Sequence, residues 1–325
     1  MENNKSIKGG REIMRLYAID ILRGIAAFGI VGCHIMTDPR TASGEAVRHF
    51  CDMNVAVFAV LAGYFTHLSA DGWWASVRSR LERLVPPYVF WTLVFLLFFF
   101  ILNVVNHKDL SQYGRIGFWL AVIVRGAGSG GHLWFIAALI YTQVFALFVM
   151  RKRLPAAVPL IFAAIGIGLS ILMPYWNGHG HYMFRLFGFV WLGIALQRVK
   201  AGNWKLYGSG ALLALILHVA LQNLVHPALR DLLASVPLCL FAANLPAGAA
   251  TPRVCALAKF LGGTSLGVYL IHPMMARLSN VLLVHAFPPP YGAGVVLLDW
   301  CITWACALGL TIAFCAVPSL KRFVR

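Results

Sequence analysis

The residues that could do chemistry stand out because their surroundings are apolar. The stretch LYAIDILRGIAAFGIVGCHIM carries Asp20, Arg23 and His34. On a helix Asp20 and Arg23 are i,i+3 neighbours, able to pair. Arg23 and His34 lie eleven residues apart, nearly aligned on one face and about 16 Å apart along the axis. Charge inside a bilayer is costly. The stripe therefore reads as a packing ion pair with an interfacial histidine, or as a functional line ending at an imidazole that titrates near neutrality. Arg80 and Arg83, in RLERLVPPYVFW, share a helical face. They are either topology-setting charge or a bidentate phosphate contact. His132 and Trp134 open HLWFIAALIYTQVF, and GGTSLGVYLIHPMM places Ser265, Tyr269 and His272 at i, i+4 and i+7. Arg185 is a further charge in an apolar run, either neutralised structurally by Asp52 or Asp299 or held for a substrate. Trp134, Trp176 and Tyr182 are sugar-stacking candidates or members of an interfacial aromatic belt.

Composition says what must hold these groups. The chain has 325 residues, 60% hydrophobic and 12% charged, with a mean hydropathy of +0.77. Soluble domains carry about 25% charged residues, so a soluble surface is out of reach and the expected class is all-α, polytopic and membrane-embedded. Disorder is excluded for most of the chain by its hydrophobicity. An outer-membrane barrel is disfavoured because runs such as 94–105 are apolar on every side rather than alternating. The net charge of +16 would suggest nucleic acid in a soluble protein. Here the basic residues sit in short loops, and no nucleic-acid partner is expected. The seven cysteines form no C-x-x-C pair, so neither a disulfide framework nor a metal site is expected.

About ten spans are expected, near 16–36, 52–70, 85–105, 132–150, 154–174, 183–198, 205–222, 231–248, 255–275 and 293–319, with an interfacial helix at 116–124. Alternating these spans puts eighteen basic residues on one side, including Lys5, Lys8, Arg11, Arg15, Arg153 and Lys200. Seven fall on the other: Arg40, Arg48, Lys108, Arg115, Arg125, Arg230 and Arg277. The excess marks the first side as cytoplasmic, with both termini inside and a short polar tail over 1–15 lacking a signal-peptide cleavage pattern. One membrane domain over 1–325 is expected. This topology sends His34, His132 and His272 toward the same outer side.

Together these stretches, with VAVFAVLAGYF and FRLFGFVWLGIAL, resemble the acyltransferase 3 family of membrane acyltransferases, in the family's order and over nearly the whole chain. The Arg-x10-His spacing of Arg23 and His34 and the Arg-x-x-Arg pair Arg80 and Arg83 are the most specific matches. The resemblance implies a ten-helix protein of the bacterial inner membrane. It implies transfer of an acyl group, usually acetyl from cytoplasmic acetyl-CoA, to a hydroxyl of a glycan or glycolipid at the outer side. It makes His34 catalytic with Arg23 as its motif partner, and makes Arg80 and Arg83 the donor contacts. Asp20, about 20 Å from His34 by helical rise, is expected to hold Arg23. His132, Trp134, Arg185, Tyr269 and His272 are the acceptor-side candidates. Two features depart from the family. Ala62-Gly63 stands where members commonly have Ser-Gly, so no role needing that hydroxyl applies. The C-terminal esterase-like domain of some members does not follow the last span, so the membrane domain is expected to act alone.

The residues permit direct transfer with His34 as general base or a covalent acyl-enzyme. Two other classes stay open: a transporter or flippase of an anionic glycolipid, and a non-catalytic subunit of a glycan-assembly complex. The acceptor is open among polysaccharide and lipid-linked sugars.

Overall fold

The computed structural model describes residues 3–35, 42–126, 131–152, 155–173, 180–199, 202–246, 250–287 and 291–325. Arg40, Arg153, Trp176 and Lys200 lie outside the described residues, as do the side chains of Lys5, Lys8, Arg11 and Arg15. Among the described residues the chain is helical throughout, with no β-strand. The helices are α1 (Asn3–His34), α2 (Ala42–Tyr64), α3 (Trp73–Val105), α4 (Ile116–Arg125), α5 (Trp134–Met150) and α6 (Ala157–Leu172). They continue with α7 (Gly180–Leu196), α8 (Trp204–Ala220), α9 (Pro227–Asn244), α10 (Pro252–Ala286), α11 (Ala293–Ala316) and α12 (Pro318–Lys321).

Each expected apolar segment coincides over most of its described length with a helix, although the second, expected to residue 70, ends at Tyr64. Four are long and apolar enough to cross a membrane: α1 over Tyr17–His34, α3, α10 and α11. Other apolar helical stretches, such as Trp134–Met150 and Ala157–Leu172, are of 10–17 residues. The outward residues Leu93, Leu97, Ile101 and Val105 of α3 are all exposed, a surface suited to lipid tails rather than water.

Boundaries differ from the sequence expectation where proline intervenes. The third span is expected from residue 85, yet α3 starts at Trp73 and runs through Pro86 and Pro87. The ninth is expected to end at residue 275, yet α10 continues through Pro273 to Ala286. Proline removes one main-chain hydrogen bond and crowds the carbonyl four residues back. Long helices held by their neighbours tolerate this as a local defect. Elsewhere proline opens helices a few residues ahead of the expected spans at 231 and 255, in the first-turn position it favours. Pro227 follows the cap His226, whose ring accepts from Ala228 N. Pro252 follows Thr251, whose hydroxyl accepts from Val254 N.

The chain clusters into two compact units. One contains residues 1–61, 199–316 and 325, and the other 62–198 and 317–324. In the first, α1 packs most extensively on α10, and α10 on α11. A Cβ on Gly24 would stand 2.6 Å from the Cβ of Leu261, and one on Gly262 would overlap the Asp20 carboxyl. Small residues at this seam let the two helix backbones approach closely, the usual route to helix association in lipid. Trp300 of α11 secures the far end of α1, donating to Phe28 O at 2.8 Å and stacking on the Phe28 ring at 4.7 Å. In the second unit α6 packs on α7, and α5 packs on both α3 and α7.

If the seam positions α1, filling it will be costly. Gly262→Val should lower the stability of the purified protein by about 1–3 kcal/mol, read as an earlier thermal unfolding midpoint in detergent. Gly309→Val, on α11 where a Cβ meets nothing within 4 Å, should leave the midpoint nearly unmoved.

Candidate active site

The His-Pro step at 272–273 builds the first unit's site. Proline has no N–H, so Pro273 withdraws the main-chain donor that Tyr269 O would receive in a regular helix. The adjacent imidazole replaces it: His272 Nδ1 lies 2.6 Å from Tyr269 O. A carbonyl only accepts, so Nδ1 is the protonated nitrogen there, and in the neutral ring Nε2 carries the lone pair. His272 is wholly buried, and because α10 runs on to Ala286 it sits inside that helix rather than near its end, where the expected span would place it. Its ring centroid is 5.0 Å from that of His34 and 5.9 Å from that of Tyr269. Two histidines 238 positions apart in the chain are thus neighbours, His34 on the last turn of α1 and accessible, His272 enclosed. An imidazole whose Nδ1 is committed to a carbonyl, set beside a second imidazole, presents Nε2 as the nitrogen through which a proton can be exchanged.

Toward the other end of α1, Arg23 Nη1 meets Asp20 Oδ1 at 3.5 Å, the i,i+3 pair expected from the sequence. Asp20 backs onto Gly262 of α10. α1 is continuous from Asp20 to His34, so the expected separation of about 20 Å stands. Asp20 serves Arg23, not His34. Among the described residues, Asp52 of α2 lies within electrostatic reach of His34, as does Arg48, and Asp52 also reaches Arg230. The buried carboxylate of Asp299 accepts from the Ser279 and Thr303 hydroxyls. In the sequence Asp52 and Asp299 are candidates for Arg185; that first-unit geometry gives each of them neighbours of its own.

The second unit contains the arginine pair and the aromatic candidates. The last carbonyls of a helix need donors from elsewhere, and α2 ends in a dense set of them. Ala62 O accepts from Thr66 Oγ1 at 2.7 Å. Gln197 Nε2 donates to Gly63 O at 2.9 Å and to Thr66 O at 2.7 Å. Arg80 Nη2 donates to Phe65 O at 2.5 Å, a cation at a helix C-terminus where the dipole favours it. A Cβ on Gly63 would overlap Val190 O, so this end of α2 packs backbone-on onto α7. Arg80 is half-buried and partly committed to this cap, whereas Arg83, one turn on, is exposed. Both lie inside α3 rather than ahead of it. His132 is buried and packs edge-on against Phe95, centroids 4.8 Å apart. Trp134 lies 5.5 Å from Tyr182, joining the starts of α5 and α7. Arg185 follows Tyr182 by three residues on α7 and is half-buried.

Among the described residues no three His, Cys, Asp or Glu side chains gather into a metal-ligating group. The family model described as an acyltransferase domain matches residues 16–320. The chain belongs to the acyltransferase 3 family. It is accordingly a multi-pass membrane acyltransferase. No curated protein and no solved structure matches it.

Sequence reasoning missed the parts that act through others. Pro273 was readable, since a proline four residues past a carbonyl and directly after a histidine is a local pattern. Asp52 was singled out only as a candidate for Arg185, not for His34, and Gln197 and the Phe65 carbonyl gave no signal at all, because their partners are distant in the chain.

These contacts carry two expectations. Pro273→Ala restores the amide that competes with His272 for Tyr269 O and frees the ring to turn. Acyl transfer should fall about 10- to 100-fold, by analogy with other residues that orient a functional imidazole, while the folded fraction, followed by circular dichroism, stays at the wild-type level. Arg80→Ala should lower stability by about 1–3 kcal/mol, a lost bond to a charged group. Arg83→Ala should not, so a thermal-melt comparison of the two variants separates cap from solvent-facing charge.

Proposed function

We propose that this membrane acyltransferase is an O-acyltransferase of the bacterial inner membrane. It moves an acyl group, acetyl first among the candidates, from cytoplasmic acyl-CoA to a hydroxyl of a cell-envelope polysaccharide or lipid-linked glycan at the outer side. The observation that carries the reading is the His34–His272 pair, 5.0 Å between centroids, with His272 held in one tautomer by Tyr269 O.

In this reading His34, accessible at the end of α1, takes the proton from the acceptor hydroxyl as its oxygen attacks the thioester carbonyl. The new C–O bond forms, the C–S bond breaks, and the proton passes from the imidazole to the departing thiolate, giving free CoA. His272 backs His34 as a neutral imidazole that shares its proton, and Asp52 stabilises the imidazolium that forms transiently. Arg23, held by Asp20, completes the motif on the same helix. Arg83, exposed on α3, and Arg80, with the donors its cap bond leaves over, contact the phosphates of the donor. Trp134 and Tyr182 offer adjacent ring faces to a sugar, with His132 and Arg185 nearby on the same two helix starts and Tyr269 lining the histidine pair.

The test uses membranes containing the full chain and acetyl-CoA labelled in the acetyl group. Base-labile label should enter the glycan or lipid fraction with the wild type. It should fall at least about 100-fold with His34→Ala, the scale of general acid–base catalysis, and less steeply with His272→Ala. Equal labelling by wild type and His34→Ala would remove that histidine from the chemistry. Vectorial movement of glycolipid without acyl transfer would make the protein a transporter instead.

A further inference from the structure

Arg230, near the start of α9, is wholly buried. Its guanidinium is used on one side only. Nη1 donates to Gln222 O in the turn between α8 and α9 at 3.0 Å. Nε and Nη2 have no hydrogen-bond partner, and among the described residues no carboxylate forms an ion pair with Arg230. The backbone around it is well anchored. Arg230 O meets the buried His218 ring at 3.3 Å, and His226 caps the helix one turn earlier.

The identity of the two idle donors matters. Nε–H and the adjacent Nη2–H point the same way along one edge of the planar fork, and that edge matches the oxygen spacing of a carboxylate or phosphate. The bond from Nη1 to Gln222 O fixes the fork's orientation without using this edge. A buried charge left in this state is expensive, and removing it from water without partners for its donors adds to the cost. Asp52 lies within electrostatic reach but does not bond the guanidinium. The same Asp52 is within reach of His34, which puts Arg230 in the electrostatic neighbourhood of the histidine pair, within one unit of the chain.

We propose that the Nε–Nη2 edge of Arg230 is an oxyanion site that takes a substrate's carboxylate or phosphate in bidentate fashion. The acyltransferase reading enters only in naming the bearer of that group, an acidic sugar or phosphate-linked acceptor on one hand and the donor's phosphates on the other. The site favours an anionic substrate: a neutral sugar can accept from the donors but leaves the buried charge uncompensated.

The experiment needs no turnover. The purified full-length protein in detergent is melted with sodium glucuronate, sodium phosphate or CoA, each against sodium chloride at equal ionic strength. Wild type, Arg230→Gln and Arg230→Lys are compared. Glutamine can still donate to Gln222 O but lacks charge and fork; lysine keeps the charge alone. A ligand that binds the native state raises the midpoint with its concentration. At least one anion should stabilise the wild type, and its apparent Kd should rise about 30-fold or more in Arg230→Gln, with Arg230→Lys between the two. Loss of the glucuronate or phosphate response with the CoA response intact assigns the oxyanion to the acceptor. Loss of the CoA response assigns it to the donor. Responses unchanged in both variants, or no anion response in the wild type, overturn the site. Acyl transfer measured on the same preparations fails independently: transfer with an unchanged anion response leaves the function and removes the site, and the reverse pattern does the opposite.

Discussion

The site rests on one substituted hydrogen bond. At Pro273 the main chain of α10 cannot supply the amide that Tyr269 O expects, and the imidazole of His272 supplies it instead. In water such a carbonyl would be solvated. Within a buried helix an unsatisfied carbonyl costs free energy comparable to a lost hydrogen bond. The repair therefore does two things at once. It keeps α10 continuous across a residue that otherwise breaks helices, and it commits Nδ1 so that Nε2 holds the lone pair. The helix defect and the orientation of the imidazole are the same event.

That imidazole becomes a pair only because α1 comes close enough. His34 and His272 sit on helices whose backbones approach through small residues, with Gly24 against Leu261 and Gly262 against Asp20. The Asp20–Arg23 pair and the His34–His272 pair lie along the same packed seam, several turns apart. A bulkier residue at the seam would separate helices and histidines together. The glycines here are positioning residues, although none bears a reactive group.

The second unit reaches a comparable result by other means. The carbonyls at the end of α2 take donors from Thr66, Gln197 and Arg80. This divides the Arg-x-x-Arg pair into unequal halves, one partly committed to a cap and one exposed to solvent. Two residues equivalent by spacing are made different by a single backbone carbonyl fifteen positions away.

The sequence alone determined the class of molecule and the family, because composition and hydrophobic run length answer to the bilayer and short motifs answer to local helix geometry. The Asp20–Arg23 pair was legible for the same reason: an i,i+3 contact is a property of one helix. The extent of α3 and α10 was not, because proline's local cost is met by partners the sequence does not order. The meeting of His34 with His272, the reach of Asp52 toward both His34 and Arg230, and the idle edge of Arg230 belong to the tertiary structure alone. Each depends on which faces of distant helices pack together, and helical periodicity states which face a residue is on but not what that face meets.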